Sequence, residues 1–244
     1  MNLQAYITDV LPGEGVTLFA PLADTYLVEK QQITEAEVRL DDGRTISARQ
    51  RNKVFALVGD ISRYVSGLDR HKRSELETLC ALQLCYLIDA ADSEQVRKQL
   101  TYNYCQLCNI DTFSLSERSS CTIDMTTARD FIDWLVELCI SNGIPCIDTL
   151  LNRCEDIGRY LYACLCHKKC AICGGKAELH HVDAVGAGRN RKEILHLGMR
   201  ALPLCRDHHI EIHNIGRDTF CEKYHVYGIK IDEELCGIWN LKAA

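Results

Sequence analysis

The sequence predicts an α+β protein with a small N-terminal antiparallel sheet, a helical body and a compact C-terminal module. Three observations predict this order. Short β-favouring runs fill residues 1–40, helical periodicity replaces them from Ser47, and cysteines and histidines recur at fixed spacings after residue 168. With 244 residues, 47% of them hydrophobic, the chain can form one large domain or two ordinary ones.

The N-terminal region alternates apolar runs with turn residues. The runs are AYITDV, GVTLFA, TYLVE and AEVRL, and the intervening segments are PGEG and PLAD, with a turn at Asp41, Asp42 and Gly43. Short runs of this kind, bounded by glycine, proline and aspartate, are typical of strands joined by tight turns. We therefore expect a small antiparallel sheet.

The helical body is predicted from apolar residues that recur every three or four positions. The first predicted helix ends at Gly67, and its apolar face consists of Val54, Leu57, Val58, Ile61 and Tyr64. The second predicted helix covers residues 76–88. The third follows Thr126 as its N-cap and ends at Gly143, and the fourth is Ile157–Cys166.

Cysteine usage indicates a reducing compartment. The fifteen cysteines are odd in number and scattered, and the N-terminal residues do not follow the pattern of a secretory signal. We expect reduced thiols and a cytoplasmic protein, with Cys105 and Cys108 as buried thiols. No apolar run reaches the length of a membrane span, so no membrane partner is expected.

The charge distribution leaves two interpretations of one basic segment. The net charge of -6 argues weakly against nucleic acid, which draws on Lys and Arg at phosphates. A phosphate-binding surface and a solvated helix face both fit the basic segment. The only acidic residues of this segment are Asp60 and Asp69. Its basic residues are Arg44, Arg49, Arg51, Lys53, Arg63, Arg70, Lys72 and Arg73.

Two pairs of potential zinc ligands share one spacing. Cys170 and Cys173 form a CxxC pair followed by two glycines, and Cys205 and His208 repeat the spacing. We call these four residues the Cys₃His set. Four such ligands suit tetrahedral Zn²⁺, and a closed site of this kind contributes to folding. Ordinary buried thiols would leave the matched spacing unexplained.

The remaining histidines of this region form a second group. His180 and His181 lie on a predicted strand, and His209 and His213 are four residues apart on a helix predicted to begin near Asp207. Residues at i and i+4 share a helix face. With a third ligand from the strand they could hold one cation and leave positions for a phosphate oxygen and water. Each histidine alone would more often be an ordinary surface or core residue.

The order strand, loop, strand, helix, with CxxC, HH and a terminal LCxxHHxxxH, resembles the HNH endonucleases, particularly phage HNHc nucleases. The resemblance implies a zinc-braced ββα-metal module in residues 168–244. It implies that the Cys₃His set binds structural Zn²⁺, that His180, His209 and His213 bind catalytic Mg²⁺ or Mn²⁺, and that His181 is the general base. Spacing alone leaves open which of His180 and His181 is the base, because neighbouring strand residues point to opposite faces.

One position departs from the HNH pattern. The middle Asn of the motif normally lies nine residues before the helix histidine, and Arg200 stands there. Either Arg200 substitutes by gripping phosphate, or Asn190 supplies the amide from the preceding loop. The cationic residues 186–192 could lie along a phosphate backbone or form an ordinary solvated turn.

The N-terminal part, residues 1–167, is similar to the NinB, or Orf, recombination mediators of lambda-type phages. The similarity rests on residues 46–62 and 126–145, where the shared residues are Ser47, Gln50, Asn52, Gly143 and Ile144. It implies binding to single-stranded DNA and to the host single-strand-binding protein.

Two functions are therefore expected. The first is a metal-dependent DNA endonuclease that acts on branched or partly single-stranded phage recombination intermediates in the host cytoplasm. The alternative is a non-catalytic, zinc-stabilised recombination mediator that binds single-stranded DNA. The second metal site separates them. A homo-oligomer is compatible with either.

Overall fold

A computed structural model describes residues 6–11, 15–19, 30, 43–66, 93–116, 119–183 and 195–242. The chain forms two compact units, Met1–Asp42 and Gly43–Ala244. In the first unit, β1 (Tyr6–Leu11) and β2 (Gly15–Phe19) pair antiparallel. This hairpin agrees with the predicted N-terminal sheet. The runs TYLVE and AEVRL lie outside the described residues.

The larger unit combines helices with a second small sheet, so the protein is α+β as predicted. The sheet has the order β3-β4-β5, with both pairings antiparallel; its strands are β3 (Glu178–His181), β4 (Arg200–Leu204) and β5 (Ile229–Lys230). The helices in the described part of this unit are α1 (Ala48–Ser66), α2 (Ser93–Cys108), α3 (Met125–Asn142), α4 (Leu150–Arg153), α5 (Ile157–Cys166), α6 (Arg206–Ile215), α7 (Arg217–Tyr224) and α8 (Glu233–Trp239).

The predicted helices agree with α1, α3 and α5, with one correction at a helix start. The N-cap of α3 is Asp124 and not Thr126, because the Asp124 carboxylate accepts a hydrogen bond from Thr127 N at 2.8 Å. Gly143 ends α3 in the left-handed conformation, at φ 62°. Helix α2 was not predicted, because its buried residues are interspersed with many polar ones. Gly67 and residues 76–88 lie outside the described residues.

The larger unit has a continuous core. Buried side chains of α1, α3 and α5 belong to one hydrophobic cluster with Leu202 and Leu204 of β4 and Ile212 of α6. The Tyr160 hydroxyl of α5 donates to the Ala171 carbonyl at 2.7 Å. Trp239 Nε1 donates to the Leu165 carbonyl at 3.0 Å. The helical body therefore packs directly against the elements that carry the metal-ligand motifs.

Cys105 and Cys108 were expected to be buried thiols. Cys105 is fully buried and Cys108 is partly buried. No helix in the described part of the chain is long and apolar enough to cross a membrane. The sequence predicts a domain boundary between residues 167 and 168. Whether the two parts fold independently stays a prediction.

Candidate functional site

Helix α6 carries residues of both ligand groups. Cys205 is its N-cap, and His208 and His209 follow in its first turn. Successive residues on a helix point about 100° apart. His208 therefore turns towards the two CxxC cysteines while His209 and His213 turn towards β3. One short helix thus connects a candidate structural site with a candidate catalytic site.

The Cys₃His set converges on one point. Its four ligand atoms lie within 4.8 Å of one another. Cys205 Sγ lies 3.0 Å from His208 Nδ1, Cys173 Sγ lies 3.7 Å from Cys205 Sγ, and Cys170 Sγ lies 3.6 Å from His208 Nδ1. Three sulfurs and one imidazole nitrogen at these separations fit a single tetrahedral Zn²⁺.

A tight turn presents the two cysteines of the CxxC pair. Gly174 N donates to the Cys170 carbonyl at 2.8 Å, and Cys170 N donates to the Gly175 carbonyl at 2.7 Å. Gly174 has φ 72°, a backbone conformation that glycine adopts without steric cost. Ala171 N donates to the Pro203 carbonyl at 2.9 Å, so the turn is also held against β4.

The thiols of this set differ in their electrostatic environment. Burial raises the pKa of Cys170 to about 12. Burial also acts to raise the pKa of Cys205, but hydrogen bonds from the backbone and side chain of His208 and from the neighbouring thiols outweigh it and lower that pKa to about 7. Cys205, at the N-terminus of α6, is therefore more readily ionised for metal binding than Cys170.

His180, His209 and His213 converge in the same way, and we call them the His₃ set. Their ligand atoms lie within 4.8 Å of one another. The His180 ring centroid is 4.9 Å from that of His209 and 5.1 Å from that of His213. His180 is buried, His209 is half-buried and His213 is exposed. The set therefore has a closed side and an open side, as a site that admits a substrate needs.

His180 is held in its neutral form. Burial, together with the neighbouring imidazoles of His209, His213 and His181, lowers its pKa to about 4. A neutral imidazole keeps the lone pair that metal binding requires. Glu178 Oε2 lies 3.2 Å from His209 Nδ1, so this carboxylate can orient the His209 ring.

His181 is not a member of the His₃ set, and its ring lies beside His196. Its Nε2 lies 2.9 Å from Nδ1 of His196, and the two ring centroids are 4.9 Å apart. Alternation along β3 separates His180 from His181, with His180 opposite Leu202 and His181 opposite Ala201 of β4. Of the two neighbouring histidines, His180 is therefore the one that lies with His209 and His213.

Arg200 is bound to a carboxylate of the same chain. Its Nε and Nη2 atoms donate to Asp183 Oδ1 at 3.0 and 2.7 Å, and its backbone N donates to Asp183 Oδ2 at 2.6 Å. The hydrogen bonds from Arg200 hold the pKa of Asp183 below its usual value. Asn190, the other candidate for the position of the middle Asn, lies outside the described residues, as do residues 186–192.

The basic segment is only partly available to a ligand. Arg49 is exposed and Arg51 is half-buried. Lys53 belongs to this segment but is 13% exposed and pairs with Glu155, so it fits neither a phosphate-binding surface nor a solvated helix face. It also donates to the Cys154 carbonyl at 3.2 Å. Of the basic residues expected to form this surface, Arg70, Lys72 and Arg73 lie outside the described residues.

Three side chains beside the predicted residues were missed by sequence reasoning. Glu178, Asp183 and His196 each contact a predicted site residue, but they have no motif spacing of their own. Glu178 and Asp183 flank the HH pair at two residues on either side, which is a signal available from the strand alone. His196 offers no comparable signal, since it lies fifteen residues from its partner.

Comparison with known proteins identifies one family. The profile of the family described as "Putative HNHc nuclease" matches residues 16–89 and 84–242. Together these two segments extend over nearly the whole chain. The comparisons with curated proteins and with solved structures found no match.

Proposed function

Because the chain belongs to the HNHc nuclease family, we propose that it is a metal-dependent DNA endonuclease that acts through His181 and the His₃ set. The observation that carries the proposal is a second convergent ligand set beside the Cys₃His set, with one buried and one exposed end. A protein that needed zinc only for stability would require one set. The second set is therefore the feature that favours an enzyme over a binding protein.

The His₃ set would hold the catalytic cation. Its donor chemistry fits, because the three imidazoles converge and the buried one is neutral. When bound, the cation would polarise the scissile phosphate and stabilise the leaving oxygen. Between Mg²⁺ and Mn²⁺ we favour Mn²⁺, because imidazole nitrogens bind first-row transition metals more readily than they bind Mg²⁺.

His181 would be the general base. It accepts a proton from the attacking water while the water oxygen forms a bond to phosphorus. The bond from phosphorus to the leaving sugar oxygen breaks in the same displacement, and that oxygen takes a proton from solvent. The products are a phosphate end and a hydroxyl end, with the proton on His181 returned to solvent between turnovers.

Either Arg200 or Asn190 would take the role of the middle Asn of the HNH motif. The guanidinium of Arg200 already engages Asp183, so contact with phosphate would have to share or replace that pair. If Arg200 acts on phosphate through its planar fork, Arg200→Lys should lose most of the effect, because an ammonium cannot bind bidentately. If Asn190 supplies the amide, Asn190→Ala should be the more damaging change.

The Cys₃His set would bind structural Zn²⁺. The proposed substrates are branched or partly single-stranded phage recombination intermediates. In this proposal residues 1–167 contribute DNA affinity and contact the host single-strand-binding protein, and residues 168–244 carry the nuclease chemistry. A panel of single-stranded, duplex, forked and four-way DNA tests the substrate preference directly.

Two substitutions test the assignment of roles. His181→Ala should reduce cleavage about 10²- to 10⁴-fold, as expected for a lost general base, and leave zinc content and DNA binding unchanged. His213→Ala should reduce cleavage together with affinity for Mn²⁺, because His213 would be a ligand. Cleavage rates on the DNA panel across a Mn²⁺ titration separate the two phenotypes.

His167→Ala is the matched control, since His167 is an exposed histidine outside both ligand sets. It should behave as the wild type. Wild-type cleavage with His181→Ala at full rate would remove His181 from the role of base. If the wild-type protein cuts none of the DNA panel with any divalent cation, the enzyme proposal fails in favour of a non-catalytic recombination mediator.

A further inference from the structure

Helix α1 carries an outward face that the proposed nuclease chemistry does not use. Its inward side chains belong to the hydrophobic core of the larger unit. Residues three or four positions apart share one face of a helix. The exposed or half-buried residues at this spacing, which we call the α1 face, are Arg49, Asn52, Phe55, Ala56, Gly59 and Arg63.

The α1 face is positively charged. Asp60 is the only acidic residue of α1, and its side chain is 2% exposed on the inward side. Arg49 is exposed, and Arg63 is 62% exposed although one of its five N–H donors binds Asp60. A rise of about 1.5 Å per residue separates the two arginines by about 21 Å along the helix. A DNA strand advances by about 3.4 Å per nucleotide in the double helix and by more when extended, so the two cations suit a segment of at most about six nucleotides.

Phe55 lies between the two arginines and is 49% exposed. One exposed aromatic side chain is common on a protein surface. An exposed ring in a row of cations has a more specific use, because an unpaired base can stack on the ring while neighbouring phosphates contact the arginines. The bases of a duplex are already stacked on one another, so they gain nothing from a ring at the surface. The α1 face therefore has the chemistry that favours single strands over duplexes.

Gly59 leaves open space beside the Phe55 ring. The two residues are i and i+4, a spacing at which a larger side chain would cover the ring. Glycine inside a helix destabilises it. Internal packing does not require glycine here, because an added Cβ would meet no atom within 4 Å among the described residues, and its φ is not in the left-handed region. The missing side chain is explained by a ligand that approaches α1 closely beside Phe55.

We infer that the α1 face is a binding site for single-stranded DNA, in which an unpaired base stacks on Phe55 and neighbouring phosphates contact Arg49 and Arg63. The choice of DNA as the nucleic acid rests on the proposed function. In this arrangement Phe55 selects for unpaired bases, and the arginines add affinity without reading sequence. The face would hold the single-stranded part of a branched substrate on the same unit that carries the His₃ set.

Affinity measurements without turnover test the stacking contact. Fluorescence anisotropy of the full-length, zinc-loaded protein without added Mg²⁺ or Mn²⁺ gives Kd values for oligothymidine and for a duplex of the same length. Phe55→Ala should raise the Kd for oligothymidine about 5- to 100-fold and leave that for the duplex little changed. Tyr102→Ala is the matched control and should change neither Kd, because Tyr102 of α2 is 51% exposed and lies outside the α1 face. Equal losses on both DNAs, or a loss no larger than that in Tyr102→Ala, would overturn the inference.

The arginines have a different signature, in the salt dependence of binding. Arg49→Gln and Arg63→Gln should each reduce the slope of log K against log salt for oligothymidine by about 0.7, because each phosphate contact releases counterions. Phe55→Ala should leave this slope unchanged, since stacking releases no counterions. A slope that neither arginine substitution alters would overturn the phosphate contacts.

Gly59→Leu separates binding from stability. Leucine favours the helix and would pair with Phe55 at i and i+4, so Tm should rise by about 2 to 4 °C. The same leucine would cover the ring, so the Kd for oligothymidine should rise about as much as in Phe55→Ala. Gly237→Leu is the control and should leave this Kd unchanged, because Gly237 lies in α8 and an added Cβ there also meets no described atom within 4 Å.

Unchanged oligothymidine affinity in folded Gly59→Leu would contradict the inference, and if Gly59→Leu does not fold, the comparison of Phe55→Ala with Tyr102→Ala decides. The outcomes are separable from those of the proposed function. A wild-type protein that binds oligothymidine through Phe55 but cuts no DNA refutes only the nuclease proposal. A wild-type protein that cuts DNA, with both affinities unchanged in Phe55→Ala, refutes only the role of the α1 face.

Discussion

Replacing Arg153 by methionine should destabilise the larger unit strongly at neutral pH. Asp60 on α1 is 2% exposed and accepts hydrogen bonds from Arg153 Nη1 at 2.5 Å, Arg63 Nη1 at 2.8 Å and Ile147 N at 3.2 Å. Arg153 is 8% exposed, so both charges of this pair are withdrawn from solvent. Arg153→Met leaves the buried carboxylate with Arg63, which is 62% exposed, as its remaining charged partner among the described residues.

The expected loss follows from that burial. Removing one partner of a buried ion pair costs about 3 to 5 kcal/mol, and the remaining contact with Arg63 favours the lower end, about 3 kcal/mol. With a urea m-value of about 3 kcal/mol/M, the unfolding midpoint should fall by about 1 M. Arg63→Met is the matched control. Arg63 is 62% exposed, so its loss should cost below about 1 kcal/mol.

The pH dependence of this effect has a definite sign. Burial acts to raise the pKa of Asp60, but hydrogen bonds from Arg63, Arg153 and the Ile147 backbone, with the charge of Arg153, outweigh it and lower the pKa. A lowered folded-state pKa gives stability that is present above the unfolded value of about 3.9 and is lost as pH falls through the folded value. The difference between wild type and Arg153→Met should therefore narrow in acid.

Urea unfolding followed by circular dichroism, at pH 7 and at pH 3, measures both effects. The double variant Asp60→Asn/Arg153→Met should be less destabilised than Arg153→Met, because no uncompensated charge stays buried. Equal midpoints for Arg153→Met and Arg63→Met, or a penalty that grows in acid, would refute the reasoning.

The remaining predictions concern the metal site, the DNA surface and a close approach of the backbone. Cys173→Ser should lower zinc from one per chain towards none by metal analysis, whereas Cys221→Ser should leave it unchanged; full zinc in Cys173→Ser would exclude Cys173 as a ligand. Arg49→Glu should weaken DNA binding at low salt with little sequence preference, and unchanged affinity would locate the surface elsewhere. Gly228→Ala should destabilise the protein by about 1 to 3 kcal/mol in thermal unfolding, since the added Cβ would lie 2.8 Å from Val182 Cγ2 and 2.9 Å from Arg200 Cβ. Gly237→Ala is the control, because a Cβ there meets no atom within 4 Å among the described residues.

Motifs whose geometry is local were predictable from the sequence. The His209–His213 spacing places both imidazoles on one helix face, and the CxxC pair with its following glycines specifies a tight turn. Periodicity located α1, α3 and α5, because these helices each bury one stripe of side chains in the core. In such cases neighbouring positions in the chain are also neighbours in space.

Contacts between distant segments needed the tertiary structure. The sequence left open which of His180 and His181 joins the helix histidines, and the antiparallel register of β3 on β4 together with the packing of α6 brings His180 to them. The same packing buries His180 and lowers its pKa, which no spacing specifies. The sequence left open whether Lys53 faces phosphate or solvent, and folding brings Glu155 to it from about a hundred positions away.

By itself, the sequence therefore determined which residues could bind metal and which family pattern they follow. Tertiary structure alone decided how the two ligand sets divide between the faces of α6, that Asp183 holds Arg200, and that His196 lies against His181. The physical reason is that ligand type and helical or turn spacing are properties of short segments. The partner, burial and protonation of a side chain depend on whatever distant segment the fold packs against it.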